Sequence, residues 1–286
     1  MKTADTHLEV LKTHKLYIGG QFPRTESGRT YSLAKPGAKK AYAQLCLASR
    51  KDLRAAVEAA LAAQHGWAAR SAYNRGQILY RMAEMIESRA ESWQSLLRSG
   101  LGLTPAQAQR ALDGTVDALV YYAGATDKYP QVIGAVNPVA GPHHNFTTPE
   151  PVGVIGMLFP DEPDPATIAA RLAAAIAAGN TVVALLPGRA GGLVAEFGEA
   201  FATSDLPGGV INLLSGDTKE LAGQFASHME IQGLGYFGND AALRTELEKL
   251  GADNMKRNVG SKGPVLALER VLDYVEYKTV WHPIGY

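Results

Sequence analysis

Residues 152–159 read VGVIGMLF, and this uninterrupted apolar run decides the fold. A short run without polar alternation is typical of a strand that is covered on both faces. Helix signals follow it: Asp164 stands at the N-cap position, Pro165 is the first helical residue, an Ala-rich stretch continues, and Gly179 ends it. The segment therefore predicts a strand and a helix in succession, which is the repeating unit of a parallel sheet.

Four later segments repeat this pattern. They are TVVALL (181–186), VINLL (210–214), GLGYF (233–237) and MKRNV (255–259), with a helical segment between each pair. Strands that are linked by helices predict an α/β fold with a doubly wound parallel sheet of about five strands. Sites in such sheets lie at the carboxyl ends of the strands, so we expect functional residues after Phe159, Leu186, Leu214 and Phe237.

The first third of the chain predicts short strands followed by a layer of helices. KLYIGGQF (15–22) and GRTYSLAKP (28–36) alternate apolar and polar residues, as paired strands do. Ser49 and Asp52 form a capping-box pattern, and Gly66 is the predicted stop of that helix. One longer helix is predicted over the apolar stripe from Ile78 to Leu97, and Thr104, with Pro105 and Gln107 behind it, starts a third.

Residues 131–150, QVIGAVNPVAGPHHNFTTPE, predict a hairpin of two extended arms joined by a Gly-Pro turn. His143 and His144 fall on this turn in the prediction. An isolated hairpin is seldom stable in water, so we expect this one to pack against another element or another chain.

Composition excludes several classes of function. The 286 residues contain 28 Lys and Arg against 28 Asp and Glu, so no net field attracts nucleic acid or an anionic membrane. The single cysteine excludes an intramolecular disulfide. The start of the chain is charged, and no apolar run approaches the ~18 residues of a membrane span. We expect a soluble, cytoplasmic protein whose partners are small molecules or proteins.

The predicted strand ends carry only weak signals for chemistry. PDEPDP (160–165) supplies Asp161 and Glu162, although helix starts favour acidic residues for electrostatic reasons alone. PGRAGG (187–192) could bring Arg189 and backbone amides to an anion, and GNDAAL (238–243) offers a glycine before a helix start. GNDAAL lacks the repeated glycines of a dinucleotide fingerprint, and Gly and Pro in PGRAGG are equally what any strand-to-helix turn uses.

Nucleophiles and metal ligands are scarce. Cys46 lies in the predicted strand YAQLCLAS and is expected to be a buried structural thiol. His143 and His144 are adjacent, which does not point two imidazoles at one metal ion, and His282 has no assigned role. We expect no metal site.

Eight segments in order carry a family resemblance: LYIGG, AVEAALAAQHGWAARSAYNRGQILYRMAEMIESRAE, YYAGATDK, PEPVGVIGMLFP, AAGNTVVAL, LPGGVINLLSG, FASHMEIQGLGYFGN and VGSKGPVLAL. From about Lys15 to about Leu268 the chain resembles the NAD(P)-dependent aldehyde dehydrogenase superfamily. The resemblance implies an N-terminal helical layer, a Rossmann-like coenzyme domain and a projecting hairpin used for oligomerisation.

The chemistry that the resemblance implies needs a thiolate nucleophile, an amide that holds the oxyanion and a carboxylate base. The family's oxyanion-holding Asn belongs in a PWN-like stretch, where this sequence has Pro160, Asp161 and Glu162. Its base belongs in an ELGGK-like turn, where Asn258 begins NVGSKGP (258–264), and Asn cannot take up a proton. The nucleophilic Cys belongs beyond a helix that begins near Glu269, where this sequence reads YKTVWHPIGY. We therefore expect a C-terminally truncated member that lacks the catalytic Cys domain, and we assign no catalytic residue.

The resemblance also implies where NAD or NADP would bind: at Pro160, Leu185, Gly238 and Asn239. Leu185 replaces the family's ribose-binding Lys, and the acidic companion of that Lys falls near Gly188. Asp240 adds negative charge where a pyrophosphate would approach. We expect that coenzyme binding has been lost.

The expected organisation has four parts. They are an N-terminal helical part (1–130), an oligomerisation-type hairpin (131–150), a Rossmann-like coenzyme-type domain (151–268) and a C-terminal helix and tail (269–286).

The function expected from the resemblance is an aldehyde dehydrogenase-like pseudoenzyme that is inactive alone and serves as a structural or regulatory subunit of an oligomer. In the family, a strand from the C-terminal region completes the hairpin, and we expect this chain to lack it. The open hairpin would then pair with a second copy or with a full-length aldehyde dehydrogenase. Three alternatives stay open: NAD(P)-dependent aldehyde oxidation completed by such a partner, an unrelated activity built on Glu162 and His282, and a nucleotide-binding module.

Overall fold

The computed structural model describes residues 11–38, 40–162, 164–260 and 263–285. Its strands are β1 (Lys12–His14), β2 (Thr30–Ala34), β3 (Ala41–Cys46), β4 (Ala135–Asn137), β5 (His143–Pro151), β6 (Val154–Leu158), β7 (Thr181–Pro187), β8 (Ile211–Gly216), β9 (Gly233–Tyr236), β10 (Arg257–Val259) and β11 (Val275–Pro283). Its α-helices are α1 (Arg50–Ala68), α2 (Ala72–Glu87), α3 (Ala90–Ser99), α4 (Pro105–Ala125), α5 (Tyr129–Ile133), α6 (Pro165–Ala177), α7 (Leu193–Ala202), α8 (Thr218–Ser227), α9 (Ala241–Ala252) and α10 (Glu269–Leu272).

The central sheet is parallel and has the order β10-β9-β6-β7-β8, which confirms the predicted doubly wound α/β fold. Successive residues of one strand enter two different cores. Ile155 and Met157 of β6 pack with apolar residues of α2, α4, α6 and α7, whereas Val154 and Leu158 pack with those of α1, α8 and α9. Because both faces are buried, these strands are apolar throughout.

The start of the helix after β6 agrees with the sequence. The Asp164 carboxylate accepts from the Thr167 backbone N–H at 3.3 Å, and Pro165 is the first helical residue. The predicted capping box forms at Ser49 with Asp52, and the helix start predicted at Thr104 has a capping box with Gln107. Local capping signals were therefore sufficient to place these three helix starts.

One predicted helix end was wrong, and one predicted helix is divided in two. Gly66 does not stop α1, which continues to Ala68 and buries Trp67, whose indole N–H donates to the Ile176 carbonyl at 2.9 Å. The long helix predicted from Ile78 to Leu97 is divided into α2 and α3. The break lets Trp93 pack edge-on against Phe197 of α7, with ring centroids 4.8 Å apart. In both places tertiary packing of a tryptophan outweighs local preference.

The predicted N-terminal strands pair differently from the prediction. GRTYSLAKP supplies β2, which is antiparallel to β3, and β1 lies on the other side of β3. KLYIGGQF forms only isolated bridges, Ile18 to Gln21 and Tyr17 to Leu213 of the central sheet. This segment thus connects the N-terminal sheet of β1, β3 and β2 to the central sheet.

The predicted hairpin exists as β4 and β5, but its third strand had been predicted to be missing, and that prediction was wrong. β11 pairs with β5 along its whole length, from Val275 opposite Pro151 to Pro283 opposite His143. The expected C-terminal helix and tail are the four-residue α10 followed by this strand. We call β4, β5 and β11 together the hairpin sheet. Its order is β11-β5-β4.

Asn180 connects the central sheet to the hairpin sheet. Its side chain is fully buried, and its amide N–H groups donate to the carbonyl oxygens of Ala175 (3.0 Å) and Tyr274 (2.9 Å). Its side-chain oxygen accepts from the Gly153 backbone N–H at 2.9 Å. One side chain thereby joins the end of α6, the approach to β6 and the residue that precedes β11.

The helices of the described residues do not include one that is both long enough and apolar enough to cross a lipid bilayer.

We predict that Asn180→Ala lowers the free energy of unfolding by about 2 to 4 kcal/mol, because it removes three hydrogen bonds and leaves the buried Gly153 N–H without a partner. Urea titration followed by circular dichroism measures this loss. Asn258→Ala, at an exposed position, is the matched control and should change stability by less than about 0.5 kcal/mol. Equal effects of the two substitutions would contradict the role given to Asn180.

Candidate functional site

A cleft of about 530 Å³ lies at the carboxyl edge of the central sheet, beyond β6 and β9 and beside the starts of α8 and α9. This is the edge at which the sequence analysis placed functional residues. The residues that line the cleft are Phe159, Pro160, Asp161, Thr218, Lys219, Tyr236, Gly238, Asn239, Asp240, Ala242, Leu243 and Glu246.

Three of the four residues assigned to coenzyme binding line this cleft, and one does not. Pro160 follows β6, and Gly238 and Asn239 follow β9. Leu185 of β7 is instead fully buried, in the apolar cluster that includes Leu158 and Leu214. An aliphatic side chain gains free energy from this burial and offers no hydrogen bond to a ligand.

Gly238 is required by the close approach of Tyr236. A Cβ at position 238 would lie 2.4 Å from the Tyr236 hydroxyl oxygen. That hydroxyl accepts from the Asp240 backbone N–H at 3.3 Å, and the Arg244 guanidinium lies over the tyrosine ring. The glycine therefore permits a folded-back turn whose wall is an aromatic ring.

The electrostatics of the cleft are unfavourable for an anion. Among the lining residues, the carboxylates Asp161, Asp240 and Glu246 outnumber the cation Lys219, and Arg244 lies beside the Tyr236 wall. The N-terminus of α9 is also occupied, because the Asp240 carboxylate accepts from the backbone N–H groups of Ala242 (2.9 Å) and Leu243 (3.0 Å). Free amides at such a helix start would otherwise favour a phosphate.

The sequence analysis did not name Thr218, Lys219 or Tyr236. Thr218 and Lys219 begin α8, directly after β8, and Tyr236 ends β9. The rule that sites follow strand ends had marked the region after Leu214, so the signal for the first two was present. No local pattern showed that the α8 and α9 starts would share one cleft.

Glu162, at the position expected for an oxyanion-holding amide, forms an ion pair with Arg189. The Arg189 guanidinium donates to the Glu162 carboxylate at 2.6 Å, and the Glu162 side chain remains largely exposed. Arg189 lies in a short 3₁₀ turn, Gly188–Gly192, whose Ala190 N–H donates to the Asp161 carbonyl. Arg189, which was considered as a ligand for a bound anion, thus pairs with the Glu162 carboxylate of the same chain.

Asn258 is the middle residue of β10 and is exposed. Ser261 and Lys262 of the NVGSKGP turn lie outside the described residues. Two hydrogen bonds hold the residues around this segment. The buried Arg171 donates to the Gly260 carbonyl at 3.0 Å, and the Tyr122 hydroxyl donates to the Val265 carbonyl at 2.6 Å. The described residues on either side of the undescribed pair are therefore held in place, and Asn258 supplies an amide at the position where the family resemblance implies a base.

The carboxyl group behind this turn belongs to Asp273. Burial raises its pKa even though Arg270 (3.0 Å) and Arg171 (3.8 Å) lie beside it and act in the opposite direction. It sits among the helices that support the turn and does not line the cleft.

The remaining candidate groups are structural. Cys46 is buried in β3, and its carbonyl accepts from the Ser215 hydroxyl at 2.7 Å. His143 and His144 were predicted on a turn but begin β5, where β11 places His282 opposite His144. The described part of the chain contains no group of three His, Cys, Asp or Glu side chains that could hold a metal ion.

Comparisons with known proteins point in one direction. A family model described as "Aldehyde dehydrogenase family" matches residues 22–274. Cytosolic 10-formyltetrahydrofolate dehydrogenase of Xenopus tropicalis is 31% identical over 267 residues, which are 90% of this chain and 29% of that protein. Retinal dehydrogenase 2 of Gallus gallus is 31% identical over 277 residues, which are 94% of this chain and 52% of that protein.

A solved structure agrees with these relatives. The NAD⁺ complex of aldehyde dehydrogenase from Bacillus cereus has a TM-score of 0.80 and 27% identity, covering 86% of this chain and 50% of that one. The chain therefore spans about half the length of the relatives that it matches, or less.

Proposed function

The chain belongs to the aldehyde dehydrogenase family, and from this premise we propose that it is a structural or regulatory subunit that does not oxidise aldehydes by itself. We place its action in the cytoplasm, which the single cysteine supports. The observation that carries the proposal is the Glu162–Arg189 ion pair, because it puts negative charge where the family resemblance requires an amide donor.

Physical chemistry supports the absence of independent catalysis. An oxyanion that develops near Glu162 would be repelled by its carboxylate and would have to compete for Arg189. Asn258 cannot accept a proton from water, so thioester hydrolysis would lack its base. The thiol of Cys46 is buried in β3, away from the cleft.

We predict that the purified chain, given NAD or NADP and short aliphatic or aromatic aldehydes, forms no NADH or NADPH above the rate of a heat-denatured sample. Absorbance of the reduced nicotinamide measures this rate. A full-length aldehyde dehydrogenase assayed in parallel is the positive control. Aldehyde-dependent reduction by the isolated chain would overturn the proposal.

The hairpin sheet supports assembly with other chains. Within the described residues, β11 has one neighbouring strand, β5, so a nine-residue edge remains available for pairing. Tyr277 and Trp281 of this strand are 51% and 60% exposed. Unpaired backbone groups and exposed aromatic side chains on an edge strand favour strand addition by a partner. We propose that the partner is a second copy or a full-length aldehyde dehydrogenase.

We predict that Tyr277→Glu with Trp281→Glu weakens assembly at least about tenfold, because charge on an edge strand opposes pairing. Light scattering after size exclusion measures self-association, and mass spectrometry of the tagged protein purified from its native source detects a full-length partner. Tyr73→Glu changes an exposed tyrosine of α2 and is the matched control. Wild-type chain that stays monomeric and purifies alone would contradict the assembly.

A second candidate function, nucleotide binding, is favoured by the cleft itself. Its position beyond β6 and β9 is where doubly wound sheets bind ligands, and Pro160, Gly238 and Asn239 line it. The net negative lining opposes the pyrophosphate of NAD, so we propose weak binding or none.

We predict a wild-type dissociation constant for NAD in the millimolar range or weaker, and that Asp240→Asn tightens it about two- to fivefold. Asparagine preserves the N-cap, so the gain would come from removing a charge. Isothermal titration calorimetry measures the change, with Asp253→Asn at the far end of α9 as the control. Micromolar affinity of the wild-type chain would show that the cleft remains a coenzyme site.

A further inference from the structure

A second cavity lies away from the coenzyme-type cleft, between the small N-terminal sheet and helices α3 and α7. It has a volume of about 570 Å³, and its lining includes His14 of β1, Tyr42 of β3, Ser92 of α3 and Glu196 of α7. We call it the α3 groove. Glu91 and Lys35 also line it.

Glu196 is a buried carboxylate with few partners. It is 7% exposed, and both of its oxygens accept from one donor, the Ser92 hydroxyl, at 2.9 and 3.0 Å. An ionised carboxylate can accept about four hydrogen bonds, and its burial is costly unless a cation or further donors compensate. No ion pair within the described residues involves Glu196.

Two further polar groups of the groove have unused hydrogen-bonding capacity. His14 is 9% exposed, and its Nδ1 atom is buried without a hydrogen-bond partner among the residues that the structure describes. The same holds for the hydroxyl of Tyr42. Unsatisfied buried polar atoms are rare in proteins, and two of them, on β1 and β3, facing one cavity beside the buried Glu196 of α7 indicate a site built for a ligand.

Glu91 and Lys35 of the lining offset each other in charge, so the buried Glu196 and His14 decide the class of ligand. Burial, together with Lys12, lowers the pKa of His14, so the imidazole is neutral near pH 7 and one of its nitrogens is an acceptor. Burial, which outweighs the Ser92 hydrogen bond, raises the pKa of Glu196, and a bound cation would oppose that effect. Glu199 adds negative charge nearby, whereas Lys12 and Arg89 reduce it.

We propose that the α3 groove binds a small organic cation with N–H donors, such as a primary ammonium, through Glu196 and His14. The ammonium donates to the Glu196 carboxylate and to the free imidazole nitrogen, while Tyr42 and Ser92 bond to other polar atoms of the ligand. This site is independent of the subunit role proposed above.

The test is calorimetric titration of the full chain with butane-1,4-diamine, which is a dication at neutral pH. We expect millimolar or tighter binding, with no binding of the analogue in which both ammonium groups are fully methylated, because it has the same two charges but no N–H donor. This comparison needs no variant. Failure of the wild-type chain to bind the diamine, or equal binding of the fully methylated analogue, would overturn the proposal.

Glu196→Gln tests the residue itself, because it keeps the shape and an acceptor for Ser92 but removes the charge. We expect at least about tenfold weaker binding of the diamine. Glu199→Gln makes the same charge change at an exposed position one turn along α7, and we expect it to alter affinity less than about twofold. Equal losses in the two variants would mean attraction to surface charge only and would refute the site.

Discussion

The fully buried amide of Asn180 is the constraint on which the rest of the structure depends. Its three hydrogen bonds, to Ala175, Tyr274 and Gly153, meet where a helix ends, a central strand begins and the chain departs for its last strand. In a low-dielectric interior each bond is costly to lose, so the three segments hold a fixed relation. The position of the hairpin sheet relative to the cleft therefore follows from one side chain in the core.

That arrangement preserves the scaffold of the aldehyde dehydrogenase family, and we propose that the chemistry at its strand ends differs. The central sheet opens onto a cleft in the usual place, and glycine at position 238 still permits a tight turn beside Tyr236. The charges around this cleft and the Glu162–Arg189 pair do not match an anionic coenzyme or an oxyanion. Scaffold and reactivity can separate in this way because the fold is determined by buried apolar strands, whereas chemistry depends on a few side chains at their ends.

Local patterns predicted those elements whose signals lie within a few residues. The strand β6, the Asp164 cap and both capping boxes follow from neighbouring side chains, and all are present. No Gly or Pro marks the division between α2 and α3 in the sequence. The division accommodates the packing of Trp93 against a helix about a hundred positions later, which local patterns do not show. β11 was missed for a similar reason: its residues become a strand by pairing with β5. The cleft, too, could be predicted only as a set of strand ends, since Leu185 points into the core and distant helix starts meet there.

The pairing of β5 with β11 has a consequence for the order of folding. Thr147 and Thr279, whose hydroxyls are 2.9 Å apart in this sheet, are separated by 132 positions in the sequence. Contacts between such remote segments form slowly, because the chain must lose the entropy of closing a long loop before the contacts contribute favourable free energy. During synthesis, β4 and β5 leave the ribosome well before β11, so β5 has an unpaired edge until β11 is made. The surface that we assign to assembly is thus created at a late step, so partner chains meet it only once the core has matured.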